Sequence, residues 1–292
     1  MPHIETKPML GLKSRKLISS LLFHIVSIVL GFLMIYPLLW LLASSFKSNS
    51  EIFINSFSLI PKVWDAASNY SSGWKGISGY SFGVFLGNSL IVAVVGTLGC
   101  VVSSLMAAYT FSRIRFRFSS FWFACVMVTL MIPGQVMVVP QYIIFRSIGV
   151  INTLIALVAP WFFGNAFFIF LMVQFFRGLP IELDEAAEID GCSKVMTLIK
   201  IHLPLIAPAI ATSSIFSFYW IWQDFFQPLI FMNNPGKFTM PLALNLFTDP
   251  NSYSNYGGMF AMSAVSLAPV VLVFILFQKY LVEGIATTGM KG

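Results

Sequence analysis

The sequence has few charged residues: Asp, Glu, Lys and Arg make up 10% of its 292 residues, whereas 58% are hydrophobic. A soluble globular domain carries about 25% charged residues. This shortage leaves too little polar surface for a water-soluble particle, so most of the chain is predicted to lie in lipid. The formal charge of +6 does not indicate nucleic-acid binding, because the basic residues stand in short groups beside apolar stretches and form no basic face.

Cysteine and the usual catalytic motifs are also scarce. The three cysteines, Cys100, Cys125 and Cys192, are widely spaced and match no metal or disulfide pattern. The chain contains no G-x-x-x-x-G-K phosphate-binding loop. No His, Cys or carboxylate cluster has catalytic spacing. We therefore expect no catalytic residue, no metal site and no cofactor bound by this chain.

Long uncharged runs are what the sequence has in abundance. A helix needs about 20 mostly apolar residues to cross the hydrocarbon core, and six runs of sufficient length predict six transmembrane helices. The first run is too long for a secretory signal, whose apolar core has about 7–15 residues. The fold class predicted is an all-α membrane protein with one transmembrane domain over residues 1–292. The spans are expected near 18–43, 84–111, 119–140, 152–176, 205–231 and 259–281.

The distribution of lysine and arginine predicts the orientation. With the N-terminus in the cytoplasm, the inside segments hold twelve of these residues and the outside segments five, as the positive-inside rule requires. The cluster Arg113-Ile114-Arg115-Phe116-Arg117 is the strongest single marker. Both termini are therefore predicted to be cytoplasmic. The external segments are then 47–80, a tight turn near 141–150, and 233–257.

The cytoplasmic segment 177–204 is the long polar loop of the protein and holds five of its eleven acidic residues. Pro180 is typical of a first helical position, and acidic residues in the opening turns complement the helix dipole. Gly191 predicts the end of this helix. Ser193 is expected to cap a second short helix, and Pro204 to begin the next span.

The first helix of this loop is predicted to have a carboxylate face and a small-residue face. The carboxylates are Glu182, Glu185 and Glu188, and the other face consists of Leu183, Ala186 and Ala187. An alanine ridge can enter a groove deeply because it has no bulk, while the carboxylates meet basic residues on the rim. A solvated amphipathic linker would show the same pattern, so the residues alone leave both interpretations open.

The spacing within the loop matches the pattern E-A-A-x3-G-x9-I-x-L-P at every fixed position. The matching residues are Glu185, Ala186, Ala187, Gly191, Ile201, Leu203 and Pro204. In this the loop resembles the EAA loop of binding-protein-dependent ABC importer permeases.

Other segments resemble the smaller permease of maltose-type carbohydrate importers, although Gln223 stands where that family more often has Asn. They are Asn88-Ser89-Leu90, Ala107-Ala108-Tyr109, Arg113–Arg117, Met131–Gln135, Asn152-Thr153, Trp222–Phe225, Pro228–Ile230 and Gly284–Gly292.

The resemblance implies a type I ABC importer permease fold in a bacterial cytoplasmic (inner) membrane. It also implies three kinds of partner: a second permease subunit, two copies of a cytoplasmic ATPase that binds ATP and Mg, and an extracytoplasmic solute-binding protein. The ATPase-coupling residues expected from the loop are Glu182, Glu185, Ala186, Ala187, Asp190, Gly191, Leu203 and Pro204. Motion of the 182–191 helix is expected to pass to the fifth span through Leu203 and Pro204.

Polar residues inside spans are candidates for a sugar path, because burying them in lipid is costly. The candidates are Asp224, Gln223, Gln227, Asn165, Asn88, Gln135, Tyr219 and Trp222. Interfacial anchoring or helix packing would equally explain the aromatic residues, and pairing with backbone or with a partner helix would explain Asp224. In the outer loop 233–257, the candidates for binding-protein contact are Asn251, Tyr253 and Asn255, although a mobile solvated loop would look similar.

The aromatic content and the long first external segment favour an oligosaccharide as substrate. Gly76–Phe82 resembles permeases for polysaccharide breakdown products, among them uronate oligomers such as alginate. A secondary, ion-coupled transporter is the alternative, but such proteins usually carry acids in several spans and internal repeats. A membrane enzyme would need a catalytic cluster that the sequence lacks.

Overall fold

The computed structural model of the chain describes residues 10–248 and 254–289, with side chains described for 16–248 and 254–279. Within these residues the chain is helical and forms no β-strand, which confirms the predicted all-α class. The α-helices are α1 (Leu10–Ser44), α2 (Asn49–Ile54), α3 (Ala66–Lys75), α4 (Phe82–Arg113), α5 (Ser119–Thr129), α6 (Gly134–Ser147), α7 (Leu154–Val158), α8 (Ala166–Arg177), α9 (Glu182–Ile189), α10 (Lys194–Thr197), α11 (Leu203–Leu205), α12 (Ala207–Trp222), α13 (Phe226–Phe231), α14 (Met240–Leu246) and α15 (Tyr256–Gly289). Segments Ala159–Phe163 and Pro235–Lys237 are 3-10 helical, and Leu198–His202 is π-helical.

Four helical segments among the described residues are long and apolar enough to cross a membrane. They are Lys16–Ser44, Phe82–Arg113, Leu154–Arg177 and Tyr256–Lys279. Two bent helix pairs raise the number to six if each pair is one span. The six predicted spans correspond to this upper count.

The third predicted span, 119–140, is not one continuous helix. It consists of α5 and α6, whose axes differ by 100° across the break at 130–133. Pro133 directly precedes α6 with φ −59°, and a proline disfavours helical backbone at the residue before it. Because α6 continues to Ser147, the tight turn expected near 141–150 begins only after that residue.

The fourth and fifth predicted spans are interrupted as well. In the fourth, 152–176, the chain passes from α7 through a 3-10 turn to Gly164, whose φ of +80° separates the turn from α8. The fifth, expected at 205–231, divides into α12 and α13 around residues 223–225. Helix α12 also begins only after an 81° bend from the segment Lys194–Leu205.

Helix α4 is the central element, because it packs against α8, α12, α7 and α14. Small residues allow this close packing: a Cβ added at Gly99 would lie 2.5 Å from the Phe162 ring, and one at Gly96 would lie 2.9 Å from Ile221. At Gly87, by contrast, an added Cβ would meet nothing within 4 Å. The close packing of α4 therefore lies at Gly96 and Gly99 and not at Gly87.

The segment after α1 is held by buried polar side chains. Lys47 is fully buried and its Nζ donates to the carbonyl oxygens of Asn55 at 3.1 Å and Ser58 at 2.6 Å. Asn69, in α3, donates to the carbonyl oxygens of Ser45 and Lys47 at 3.0 and 2.8 Å. These bonds explain how the predicted external segment 47–80, which is rich in Ser, Asn and Gly, forms an ordered structure.

Candidate functional site

Helix α9 carries the EAA segment, and both its ends follow from local chemistry. It begins at Glu182, two residues later than the start expected from Pro180. Gly191 ends it as predicted, because its φ is +74°, a left-handed conformation that glycine adopts without strain. The N–H of Cys192 then donates to the Ala187 carbonyl at 2.9 Å, as in a Schellman motif.

The two alanines of the EAA segment face in different directions. Ala186 is exposed, together with Glu182, Glu185 and Asp190. Ala187 is only 3% exposed and packs inside the chain. Any surface that α9 offers to a partner therefore includes Ala186 and its flanking carboxylates, without Ala187.

The second half of the loop starts with the predicted cap: Ser193 Oγ accepts a hydrogen bond from Met196 N at 3.3 Å. The helix then widens into its π-helical segment before the short α11. Leu203 is partly buried and Pro204 is exposed. The whole loop also exposes four aliphatic side chains, at 52, 87, 65 and 54% respectively: Ile181, Ile189, Val195 and Ile199.

A buried ion pair attaches the loop to the bundle. Arg113 Nη1, at the end of α4, lies 3.0 Å from Asp184 Oδ2 in α9, and the two side chains are 5% and 13% exposed. The fully buried His202 places Nε2 2.9 Å from Asp184 Oδ1. The histidine tautomer with its proton on Nε2 donates to this carboxylate, while Nδ1 has no hydrogen-bond partner among the described residues.

Further bonds connect the same cluster to α8 and to α10. Arg113 Nη2 donates to the carbonyl oxygens of Phe176 at 2.6 Å and Leu179 at 2.8 Å. Tyr109, one turn before Arg113 in α4, donates its hydroxyl to the Lys194 carbonyl at 3.0 Å. Four elements therefore meet around one guanidinium and one carboxylate.

The sequence had not identified Arg113, Asp184 and His202 as a site. Arg113 had been interpreted as a marker of orientation, and Asp184 as one of several acids in the loop. The signal that was present is helical spacing: Asp184 lies three residues before the buried Ala187, so both lie on the inner face of α9.

Three polar candidates for a sugar path have structural hydrogen bonds. Asn88 Nδ2 donates to two backbone carbonyls of the loop after α13, both at 3.0 Å. Asn165 Oδ1 accepts from the first turn of α8 at 3.0 Å. Asp224 Oδ1 accepts from two N–H groups at the start of α13, at 3.1 and 3.3 Å. These bonds explain why the three side chains occur within apolar segments.

The remaining candidates differ in exposure. Trp222 is buried and stacks on the Phe218 ring at 5.6 Å. Gln227 has a buried Oε1 that accepts no hydrogen bond within the part of the chain that the structure describes. Gln135, Tyr219 and Gln223 are exposed, and the last two are four residues apart at the end of α12. Both side chains are therefore accessible at this end of the helix.

Comparison with known proteins identifies the family. The pattern described as "Binding-protein-dependent transport system inner membrane component" matches residues 99–287. This region includes the loop, its buried ion pair and α12. The chain belongs to this family. The permease is accordingly a multi-pass protein of the inner membrane, as predicted.

Individual relatives agree with this assignment. The permease is 37% identical over 259 residues to a probable ABC transporter permease protein, YurM, of Bacillus subtilis, covering 88% of this chain and 84% of that one. It is 30% identical over 265 residues to the arabinooligosaccharides transport system permease protein AraQ of Halalkalibacterium halodurans, covering 90% and 93%. In fold it is similar to a chain of a bacterial ABC transporter involved in import of the acidic polysaccharide alginate. That match has a TM-score of 0.77 and 20% identity, and covers 96% of this permease and all of that chain.

The outer loop of the permease is partly anchored. Asn251 and Tyr253, two candidates for binding-protein contact, lie outside the described residues. Asn255 donates to Ser72 Oγ at 3.1 Å and accepts from Gly258 N at 2.8 Å. Asn255 therefore connects the end of the loop to α3 and to the first turn of α15.

Proposed function

We propose that this permease imports a carbohydrate together with a second permease subunit, and that α9 docks onto a separate cytoplasmic ATPase. The observation that carries the proposal is the exposed surface of the cytoplasmic loop 177–204. It exposes four aliphatic residues beside Glu182, Glu185 and Ala186. Since the loop is predicted to lie in water, such a surface is better explained by a protein partner than by solvent.

ATP binding, sugar delivery and transport are proposed to belong to different subunits. ATP and Mg belong to the ATPase, because this chain has no phosphate-binding loop. An extracytoplasmic solute-binding protein delivers the sugar to the outer face. Closure of the ATPase moves α9, and the two permeases then alternate between outward and inward access.

The substrate class proposed is an oligosaccharide. The support is the AraQ relative, whose printed name gives arabinooligosaccharides. Uronate oligomers such as alginate fragments are a second candidate within this class, supported by the sequence resemblance of Gly76–Phe82. Tyr219 and Gln223 on α12 are the proposed sugar contacts of this chain, because they are exposed.

Reconstitution in proteoliposomes tests the proposal. The permease, its partner permease, the ATPase and the binding protein are assembled, and ATP hydrolysis is measured with arabino-oligosaccharide or alginate oligomer. We expect hydrolysis to rise only when the loaded binding protein is present. Oligosaccharide uptake driven by an ion gradient without ATP would instead support the secondary-transporter alternative.

The proposed orientation is tested separately. Reporter fusions after Gly292 and within 113–117 should be cytoplasmic, and a fusion near Lys62 should be external. A C-terminal reporter on the outer side would contradict the assignment of α9 to the cytoplasm, and with it the docking.

A further inference from the structure

The buried cluster of Arg113, Asp184 and His202 takes no part in the outward surface of α9. Asp184 is turned into the bundle, whereas Glu185 and Ala186 beside it are exposed. Removing a carboxylate from water is unfavourable unless it is paired. The other acids of α9 remain at the surface, so burial of Asp184 calls for a function inside the protein.

The cluster connects both arms of the loop to the same helix. Asp184 belongs to the first arm, α9, and His202 to the second arm, which runs from α10 to α11. Their side chains are 2.9 Å apart. Tyr109 and Arg113 hold these arms from the last turns of α4, since Tyr109 bonds the Lys194 carbonyl and Arg113 pairs with Asp184.

Arg113 suits this position because its guanidinium is planar and has several donors. Nη1 contacts Asp184, while Nη2 bonds the carbonyl oxygens of Phe176 and Leu179 at the end of α8. A lysine would offer one point charge in place of this fork. The connection along the chain into α12 passes through an 81° bend, so the cluster is a second connection between loop and bundle.

We propose that Arg113, Asp184 and His202 are positioning residues that clamp the coupling loop (residues 177–204) and the cytoplasmic end of α4 into one rigid body. Motion of the docked ATPase then enters the bundle through α4 as well as along the chain into α12. This inference rests on the proposed docking of α9. It assigns the three residues to transmission of the motion and leaves binding of the ATPase to the outward surface.

Spin-label distances in the complete complex test the clamp. The three native cysteines are replaced by alanine. Two doubly labelled proteins are prepared, and both carry one label at Met196 in the loop. The other label is at Met106 in α4, which is 61% exposed, or at Leu276 in α15, which is 59% exposed. Distances are measured without nucleotide and after trapping with ATP and vanadate. We expect the 106–196 distance to stay constant and the 196–276 distance to change.

The comparison of the 106–196 and 196–276 distances leaves Arg113, Asp184 and His202 in place. Poor folding of a clamp variant therefore cannot affect it. A change in the 106–196 distance of about 5 Å, one helical turn, would overturn the proposal. Loss of the ATPase from this unaltered complex would instead contradict the docking, and the two failures are therefore distinguishable.

Asp184→Asn provides the second arm of the experiment. It should retain the ATPase, yet the 106–196 distance should shift and broaden after trapping. Lys194→Gln is the matched control, because it breaks an exposed pair with Glu188, 3.4 Å long, between the same two arms; its distances should equal those of the unaltered chain. Identical distances in Asp184→Asn and the unaltered chain would also overturn the clamp.

Discussion

Replacing Ala186 or Ala187 by tryptophan should separate docking from folding at neighbouring positions. Ala186 is exposed on the outward surface of α9, whereas Ala187 is 3% exposed and packs within the chain. The chemical change is the same at both positions. Only the surroundings of the new indole differ: the partner's surface in one variant and the permease interior in the other.

The expected magnitudes follow from these surroundings. An exposed substitution usually changes stability by less than about 0.5 kcal/mol, so Ala186→Trp should leave the free chain folded. Overpacking an interface shaped for alanine costs about 1–3 kcal/mol. At about 1.4 kcal/mol per tenfold, the ATPase should bind about 5–150-fold more weakly. For Ala187→Trp the same overpacking, or more, falls on the fold of the permease itself.

Co-expression with the partner permease and the ATPase provides the assay. Size-exclusion chromatography in detergent reports folding, and the amount of co-purified ATPase reports docking. Ala186→Trp should elute like the unaltered chain but lose the ATPase, while Ala187→Trp should reduce the folded peak. Retention of the ATPase and normal transport by Ala186→Trp would refute the assignment of this surface.

The same assay extends to the carboxylates of α9. Glu185→Lys should lose the ATPase, because removing one partner of a pair buried by docking costs about 3–5 kcal/mol. Glu182→Ala, proposed to lie at the more exposed rim, should cost about 0–1 kcal/mol. Equal loss of the ATPase in both variants would contradict the proposal that Glu185 becomes buried on docking while Glu182 stays at the exposed rim.

Two further predictions concern the outer face. Gly73→Ala should destabilise the contact of α3 with α15 by about 1–3 kcal/mol, because the new Cβ would lie 2.8 Å from the Gly258 carbonyl oxygen. Gly87→Ala is the control, since a Cβ there meets nothing within 4 Å. Equal melting temperatures of the two variants in detergent would contradict this prediction. The hydrogen bond from the Lys62 N–H to the Glu51 carboxylate holds the pKa of Glu51 below its ordinary value. The stabilising contribution of the Glu51 carboxylate is therefore present above the ordinary pKa of glutamate and is lost as pH falls through the lowered pKa. The rate of proteolysis within residues 47–80 should accordingly rise as the pH is lowered in the unaltered chain, and should depend less on pH in Glu51→Gln.

The boundary between the two helices of the coupling loop was predictable, because single residues determine it. Gly191 ends α9 through its left-handed backbone, and Ser193 begins the next helix through its hydroxyl. Both effects act over a few residues, so spacing in the sequence contains the necessary information. The start at Pro180 was wrong by two residues, since a proline tolerates the first turn of a helix without fixing where it begins.

The inward orientation of the Asp184 side chain was harder to predict from the sequence, because it depends on Arg113, a residue far away in the chain. Nothing local to Arg113 shows whether its charge faces anionic lipid or a carboxylate in another helix. The pairing became visible only once α4 and α9 were placed side by side. The same limit applies to Asn88, whose two carbonyl partners lie in the loop after α13.

The broken spans show a different limit. Hydropathy measures whether a run can lie in lipid and does not record its direction, so 119–140 and 205–231 were each predicted as one helix. Pro133 was visible in the sequence, but a proline can also be accommodated inside a membrane helix. Pro37 and Pro269, for example, lie within the long helices α1 and α15.

Helix α4 holds loops at both its ends. Near its N-terminus, Asn88 bonds two carbonyls of the outer loop, and near its C-terminus Arg113 holds Asp184 in the coupling loop. Its 32 residues span about 48 Å at the α-helical rise, and its backbone hydrogen bonds have no proline interruption. With the clamp intact, a displacement of the coupling loop therefore reaches the outer loop through one stiff element.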